Sequence, residues 1–163
     1  MTTHSLTATL ETHLQLLEEF YNLLRRETHE LSDIQLDAMA EINIQKESVA
    51  ARIEAHSALL RQVMEEAASR EGLSPKVTLG ELAETCKQKG NKDVSRLHCE
   101  LNRVVDRIRQ TISINREIAE RFAASVSSSL ELLARVINQS STYGASGGYR
   151  QRMADAVMIN REA

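Results

Sequence analysis

The chain has 163 residues, a net charge of −3, 42% hydrophobic residues, 3% aromatic residues and a single proline. This length is most simply one domain, and plentiful aliphatic residues with few helix breakers indicate an all-α fold. The slightly negative charge argues against nucleic-acid binding, which needs clustered lysine and arginine to neutralise phosphates.

No apolar run in the sequence approaches the ~20 residues that cross a bilayer. The amino-terminal Met1-Thr-Thr-His4 lacks a basic region and an apolar signal region. The sequence therefore predicts a cytoplasmic protein without stable membrane insertion. Cys86 and Cys99 lie in helical stretches, and we expect them to be reduced rather than part of a disulfide framework.

The first predicted helix covers about residues 6–31, with leucines at helical spacing on one face. The segment that follows resembles a capping box, with Ser32 as the N-cap and Gln35 at the third helical position. This pattern favours a break and a second helix that starts at Asp33. The alternative is one continuous helix, because neither glycine nor proline interrupts the chain there.

The second helix is predicted to run to Arg70, where Gly72-Leu-Ser-Pro75 ends it. Thr78-Leu-Gly-Glu81 is another capping box. It predicts a short helix over residues 79–87.

Gly90-Asn91 breaks the chain again, and Asp93 is predicted to cap a long third helix that runs to Asn138. At 1.5 Å per residue this helix would be roughly 70 Å long, which suits presenting a surface better than enclosing a pocket. Its apolar positions alternate spacings of three and four residues: Val94, Leu97, Leu101, Val104, Val105, Ile108, Ile112, Ile118, Phe122, Val126, Leu130, Leu133, Val136 and Ile137.

These segments predict an all-α fold: an elongated antiparallel helical bundle or coiled-coil hairpin of about three long helices, a short connector helix and a flexible C-terminal tail. We assign residues 1–138 to a single bundle domain and residues 139–163, which have few apolar residues to bury, to the tail. Met153, Val157 and Met158 nonetheless lie at helical spacing. The end of the tail is therefore expected to become helical on binding or to pack on the bundle.

The sequence offers no catalytic, cofactor-binding or metal-binding site. No histidine has a glutamate three residues before it, as a helical di-iron site needs, and Cys86, His98 and Cys99 lack zinc-site spacing. Neither a P-loop nor a GxGxxG motif is present. His56 falls on the apolar side of its helix and is interpreted as a half-buried bundle histidine, with phosphotransfer as an outlying alternative.

Asn115 interrupts the apolar positions of the long helix. We interpret it as a core residue that sets the register of the bundle, with direct partner contact as the alternative. Charged residues such as Glu27 fall mostly off the apolar stripes, so we expect them on solvated faces.

Five short segments of the sequence are weak signals individually, but their order and spacing together form a pattern. They are Leu16-Leu-Glu-Glu19 with Leu24, Glu30-Leu-Ser-Asp33, Gln45-Lys-Glu47, Ile114-Asn-Arg116 and Thr142-Tyr-Gly-Ala-Ser-Gly147. Together they resemble the FlgN family of flagellar type III export chaperones over nearly the whole chain. In one departure, the second asparagine that the family often has three residues after the first is Ile118 here.

The resemblance implies a non-enzymatic chaperone without a cofactor. It would bind the C-terminal helical segments of hook-associated (hook–filament junction) proteins, keep them soluble and export-competent, and help deliver them to the flagellar export apparatus. The implied binding region lies in the C-terminal part of the chain. The predicted partner-binding residues are Ile118, Phe122, Val126, Leu130, Leu133, Val136, Ile137, Tyr143, Met153, Val157 and Met158.

Two alternatives stay open at this point. The four aliphatic residues Leu130, Leu133, Val136 and Ile137 could be ordinary bundle core, and the segment with Met153, Val157 and Met158 could be an inert tail. The rival function is a homodimeric coiled-coil scaffold, in which the long helix pairs with its own copy.

Overall fold

The computed structural model describes residues 2–140, with side chains from residue 5 to residue 137. It contains four helices, α1 (Thr2–Asp33), α2 (Leu36–Arg70), α3 (Leu79–Gln88) and α4 (Asp93–Ser140), and these described residues form no strand. The all-α prediction is therefore confirmed. The chain divides into two units, Met1–Ala119 and Glu120–Ala163. The predicted tail lies mostly outside the described residues.

The break between α1 and α2 is confirmed, but the capping box predicted for it is wrong. Ser32 belongs to α1 and donates its hydroxyl to the carbonyl oxygen of Thr28 (2.9 Å) instead of capping a new helix. A serine that bonds the carbonyl four residues earlier stays within the helix. The turn comes two residues later, at Ile34, whose φ of 56° is left-handed. Gln35 occupies the N-cap position of α2 without a side-chain capping bond.

The end of α2 and the start of α3 follow the sequence prediction. Gly72 adopts a φ of 73°, which glycine permits at low cost just after a helix. At the start of α3, the Thr78 hydroxyl accepts from the Glu81 N–H (3.3 Å), and the Glu81 carboxylate accepts from the Thr78 N–H (2.8 Å). This reciprocal pair satisfies two backbone donors that the helix leaves open.

The start of α4 differs slightly from the prediction. Asp93 is the first helical residue rather than the cap that precedes the helix. The side chain that caps the helix belongs to Asn91, whose Oδ1 accepts from the Asp93 N–H (3.0 Å). Asp93 still places a carboxylate in the first turn, where the helix dipole favours negative charge.

Polar pairs define the register of α1 and α2, which run antiparallel. The Arg26 guanidinium donates to Gln45 (3.0 Å), and Arg52 pairs with Glu19 (2.8 Å). As residue numbers fall along α1 they rise along α2, which is the signature of an antiparallel hairpin.

The core of the first unit joins α1, α2, α3 and the first half of α4. Its larger cluster consists of buried aliphatic residues, alanine and cysteine: Leu6, Leu10, Val63, Leu82, Ala83, Cys86, Val94, Leu97 and Leu101. A smaller cluster contains Leu24, Val104 and Ile108. Since low-numbered residues of α1 pack with low-numbered residues of α4, these two helices run parallel. This arrangement buries the first part of the apolar pattern of α4.

Candidate functional site

The second half of α4 carries a row of exposed apolar side chains, which we call the apolar stripe. Its members are between 39% and 66% exposed: Phe122, Val126, Leu130, Leu132, Leu133, Val136 and Ile137. By contrast, Leu97 and Val104 of the same helix are 1% and 2% exposed. Single exposed leucines are ordinary, but a row at helical spacing is a candidate docking surface.

Helical geometry places the whole stripe on one side of α4. At 3.6 residues per turn its members fall within roughly 160° of arc. Glu120, Glu131 and Arg135 lie on the opposite side by the same spacing. Ser129, within the stripe, donates its hydroxyl to the Ser125 carbonyl (2.9 Å). That hydroxyl therefore needs no partner, and the face is dominated by apolar groups.

The predicted partner-binding residues have mixed positions. Ile118 is half-buried, and the six predicted residues from Phe122 to Ile137 are exposed. Tyr143, Met153, Val157 and Met158 lie outside the described residues. The assignment of these residues to partner binding stays a prediction. Sequence reasoning missed Leu132, which lies at the edge of the stripe, one turn before Val136, and is 62% exposed.

Asn115 lies at the centre of a polar network that connects three helices. It is 5% exposed, as expected for a core position. Its Nδ2 donates to the Leu24 carbonyl (3.0 Å) and to the Glu27 carboxylate (2.9 Å), while its Oδ1 accepts from the Thr28 hydroxyl (2.6 Å). Because every polar atom of the amide has a partner, the network ties α4 to α1 in one register.

The expectation that Glu27 lies on a solvated face is wrong. Its carboxylate pairs with Lys46 of α2 at 2.5 Å, and the two side chains are only 15% and 19% exposed. A carboxylate this poorly hydrated needs an opposite charge and hydrogen-bond donors, which Lys46 and Asn115 supply. The sequence signal was the Asn115 interruption, because a buried amide implies polar partners on the helix that faces it.

A groove of about 480 Å³ lies beside this network in the first unit. Its lining is mostly apolar with four charged side chains: Phe20, Leu24, Glu27, Leu31, Lys46, Glu47, Ala50, Ile112, Asn115, Arg116 and Ala119. Among the described residues, no buried side-chain polar atom lacks a hydrogen-bond partner.

The two cysteines are free thiols, and neither belongs to a metal site in the described chain. Cys86 is buried and Cys99 is exposed. Burial raises the pKa of the Cys86 thiol, and the nearby Glu71 carboxylate acts in the same direction. A raised pKa disfavours the nucleophilic thiolate. No group of three or more metal-ligating side chains occurs among residues that the structure describes.

His56 is half-buried, as the sequence predicts, but its partner was not foreseen. Its Nδ1 lies 3.2 Å from the Nδ1 of His13 on α1. Burial and, to a smaller extent, the neighbouring imidazole hold the pKa of His13 below its usual value. Two histidines 43 residues apart share no sequence motif, so only the hairpin register brings them together.

None of the helices in the described range has both the length and the apolar character needed to cross a membrane.

The family model described as FlgN protein matches residues 1–151 of the chain. This range contains all four described helices, and with them both the buried core and the apolar stripe. No curated protein and no solved structure matches the chain significantly.

Proposed function

Because the chain belongs to the FlgN family of flagellar export chaperones, we propose that it binds C-terminal helical segments of hook-associated proteins through the apolar stripe of α4. The partner would be an amphipathic helix that lays its apolar face along the stripe. In this proposal the protein works in the cytoplasm, has no enzymatic activity, and helps deliver its partners to the flagellar export apparatus.

The observation that carries the proposal is the exposure of the stripe. Seven large apolar side chains at helical spacing remain accessible over less than five turns of α4. Fully burying one such side chain is worth about 1.5–3 kcal/mol. Covering the stripe with a partner helix would therefore provide a substantial driving force for binding.

The same physics explains how the contact could protect a partner and still release it. The exposed apolar face of an export substrate would be covered by the stripe, which prevents self-association. Ordering two chains and their side chains opposes this gain, so affinity depends on fit rather than on area alone. A contact within or below the usual 1,200–2,000 Å² range is compatible with reversible binding.

We also propose a contribution from the residues after α4. Tyr143 would add an amphipathic contact next to the stripe, and Met153, Val157 and Met158 would form an adaptable clasp, since methionine fits irregular surfaces. A chain that ends at Ser140 tests this separately, because it keeps every member of the stripe. Weaker binding of this shortened chain supports the clasp, and unchanged binding removes it.

The direct test is calorimetric titration of the full chain with C-terminal helical segments of hook-associated proteins from its own organism. A chaperone is expected to bind one segment per chain with micromolar or tighter affinity. The double variant L133D/V136D places two charges in the stripe and should abolish binding while leaving helical circular dichroism largely intact. Ser127→Asp is the matched control, because it adds a charge on the opposite side of the same helix and should bind normally.

The exposed stripe also fits the rival proposal of a homodimeric coiled coil, in which a second copy covers it. Light-scattering mass separates the two readings. A monomer that binds the segments favours the chaperone. A stable dimer that binds none of them, and that L133D/V136D converts to monomer, favours the scaffold.

A further inference from the structure

The histidine pair, His13 of α1 and His56 of α2, has a geometry that constrains how many protons it can hold. The two rings are nearly parallel, with an interplanar angle of 20°, and their centroids are 5.4 Å apart. The Nδ1 atoms are 3.2 Å apart. The distance between the centroids exceeds the distance between the Nδ1 atoms by about twice the separation of a ring centroid from its own nitrogen. Both Nδ1 atoms therefore lie close to the line that joins the two centroids. The rings therefore meet end to end, with the two nitrogens facing each other.

This arrangement suits a hydrogen bond better than a metal ion. An ion held by two imidazoles lies ~2 Å from each nitrogen, with the ring planes converging on it. Facing nitrogens at 3.2 Å instead fit one N–H donor and one acceptor. The bond forms when one Nδ1 carries a proton and the other does not.

We propose that His13 and His56 form a proton-sensitive clasp, which holds α1 to α2 while one facing Nδ1 carries a proton and opens when both do. A neutral pair satisfies the condition if the two rings adopt opposite tautomers. A pair with one additional proton also satisfies it, because the imidazolium donates to the neutral ring. A second additional proton sets two N–H groups and two positive charges against each other, and the hydrogen bond is lost.

Neither imidazole of the pair has an ion-pair partner among the described residues. The nearest carboxylates along the two helices, Glu11 on α1 and Glu54 on α2, lie two residues from the pair and are exposed. Within two turns on the face between α1 and α2, Glu19 is engaged with Arg52 (2.8 Å). By the register of the Thr28–Asn115 hydrogen bond, the pair is level with about residue 100 of α4, and Glu100 is engaged with Arg96 (3.0 Å). Among the described residues, the ion pair that involves a histidine is His29 with Asp33 (3.6 Å), near the opposite end of α1. A doubly protonated pair would therefore have no direct ion-pair partner.

The direction of the pH effect follows from linkage. The pKa of His13 is lowered in the folded chain relative to its usual 6.5. The unfolded chain therefore binds the proton more readily, and folding stability decreases as the pH falls through 6.5 towards the lowered folded value. Above 6.5 the contribution of the clasp is fully present.

The test is an NMR titration of the full chain with ¹⁵N-labelled histidine, combined with thermal unfolding between about pH 8 and pH 5. At the upper pH, one ring of the pair should be the Nδ1–H tautomer and the other the Nε2–H tautomer. On acidification the pair should take up its protons in two separate steps. The melting temperature should fall between pH 6.5 and the second step, and level off below it.

Variants separate the clasp from ordinary histidine titration. His56→Gln should raise the pKa of His13 and reduce the loss of melting temperature on acidification, and His13→Gln should reduce that loss in the same way. His29→Gln is the matched control, because it removes an exposed histidine of α1 whose surface pair with Asp33 is worth little, so it should change the loss much less. The proposal is overturned if both rings show the same tautomer, or if each titrates in a single step that the other's replacement does not move. The tautomer result is read from the natural sequence and therefore holds even if a variant fails to fold.

Discussion

At the scale of single residues, Asn115 makes three hydrogen bonds to a neighbouring helix. Its amide contacts the Leu24 carbonyl, the Glu27 carboxylate and the Thr28 hydroxyl, and Glu27 in turn pairs with Lys46. If the helices slide, the buried amide loses all three of these partners at once. The network therefore favours a single register at the cost of a fully apolar core.

Asn115→Ala is expected to lower the free energy of unfolding by about 1–3 kcal/mol, because it leaves the poorly hydrated Glu27 carboxylate without one of its donors. Urea unfolding measures the change. Asn102→Ala is the control on the same helix: Asn102 is exposed and bonds His98 (3.1 Å), so its replacement should cost less than about 0.5 kcal/mol. Equal effects of the two substitutions would contradict the role of the network.

At the scale of the helices, the turn between α1 and α2 is formed by an unfavourable residue. Ile34 has a φ of 56° and is 53% exposed. A left-handed conformation is costly for a β-branched residue, since its Cβ crowds the backbone. The side chain recovers only part of this cost, because half of it remains in water. The turn therefore owes its position to the packing of the two helices that flank it.

Ile34→Asn is expected to raise the free energy of unfolding by about 0.5–1 kcal/mol, because asparagine adopts the left-handed region more readily. The midpoint of urea unfolding reports the change. Ile44→Asn is the control: Ile44 is similarly exposed (68%) but lies within α2, so asparagine there should be neutral or slightly destabilising. If Ile34→Asn destabilises the chain instead, the side chain of Ile34 contributes contacts that outweigh its strained backbone.

The capping box of α3 predicts a pH dependence of its own. Hydrogen bonds from the Thr78 N–H and hydroxyl hold the pKa of Glu81 below its usual 4.5. A lowered folded pKa contributes stability above 4.5, and this contribution is lost as the pH falls through the lowered value. In Glu81→Gln the difference in melting temperature from the natural sequence should therefore shrink with acidification. Glu84→Gln, outside the box on the same helix, is the control and should show less of this convergence.

At the scale of the whole molecule, folding stability and the proposed partner binding belong to different parts of the chain. The buried clusters use residues from Leu6 to Ile108, within the first unit. The described part of the second unit presents the apolar stripe. Substitutions can therefore separate the two properties.

Leu97→Ala, in the core, is expected to lower the free energy of unfolding by about 2–5 kcal/mol through lost burial and a residual cavity. Leu133→Ala removes the same atoms from a side chain that is 56% exposed, so its cost should stay near or below about 0.5 kcal/mol. Urea unfolding of the two variants, with calorimetric binding of the partner segment, measures both properties. A large loss of stability in Leu133→Ala would mean that the stripe is covered within the folded chain.

Much of the fold could be predicted from the sequence because the signals that end helices are local. Gly72, the Thr78–Glu81 box and Gly90 act within a few residues of themselves, and each appears where the pattern placed it. Local signals also explain the wrong prediction at Ser32. Its hydroxyl could accept from the N–H of Gln35, as in a capping box, or donate to the Thr28 carbonyl, as the structure has it. The family resemblance was likewise available, since it depends on the order and spacing of short segments.

The tertiary structure alone decided which apolar positions of α4 are covered. The spacing is nearly uniform from Val94 to Ile137, so periodicity gives the core and the stripe the same appearance. Burial depends on which helices pack beside each turn, and that packing is a property of distant segments. The sequence alone determined four helices and a family, because both depend on short segments of the chain. The packing of α1 against α2 determined that Glu27 is poorly hydrated and that His13 faces His56, because these contacts join residues far apart in the sequence.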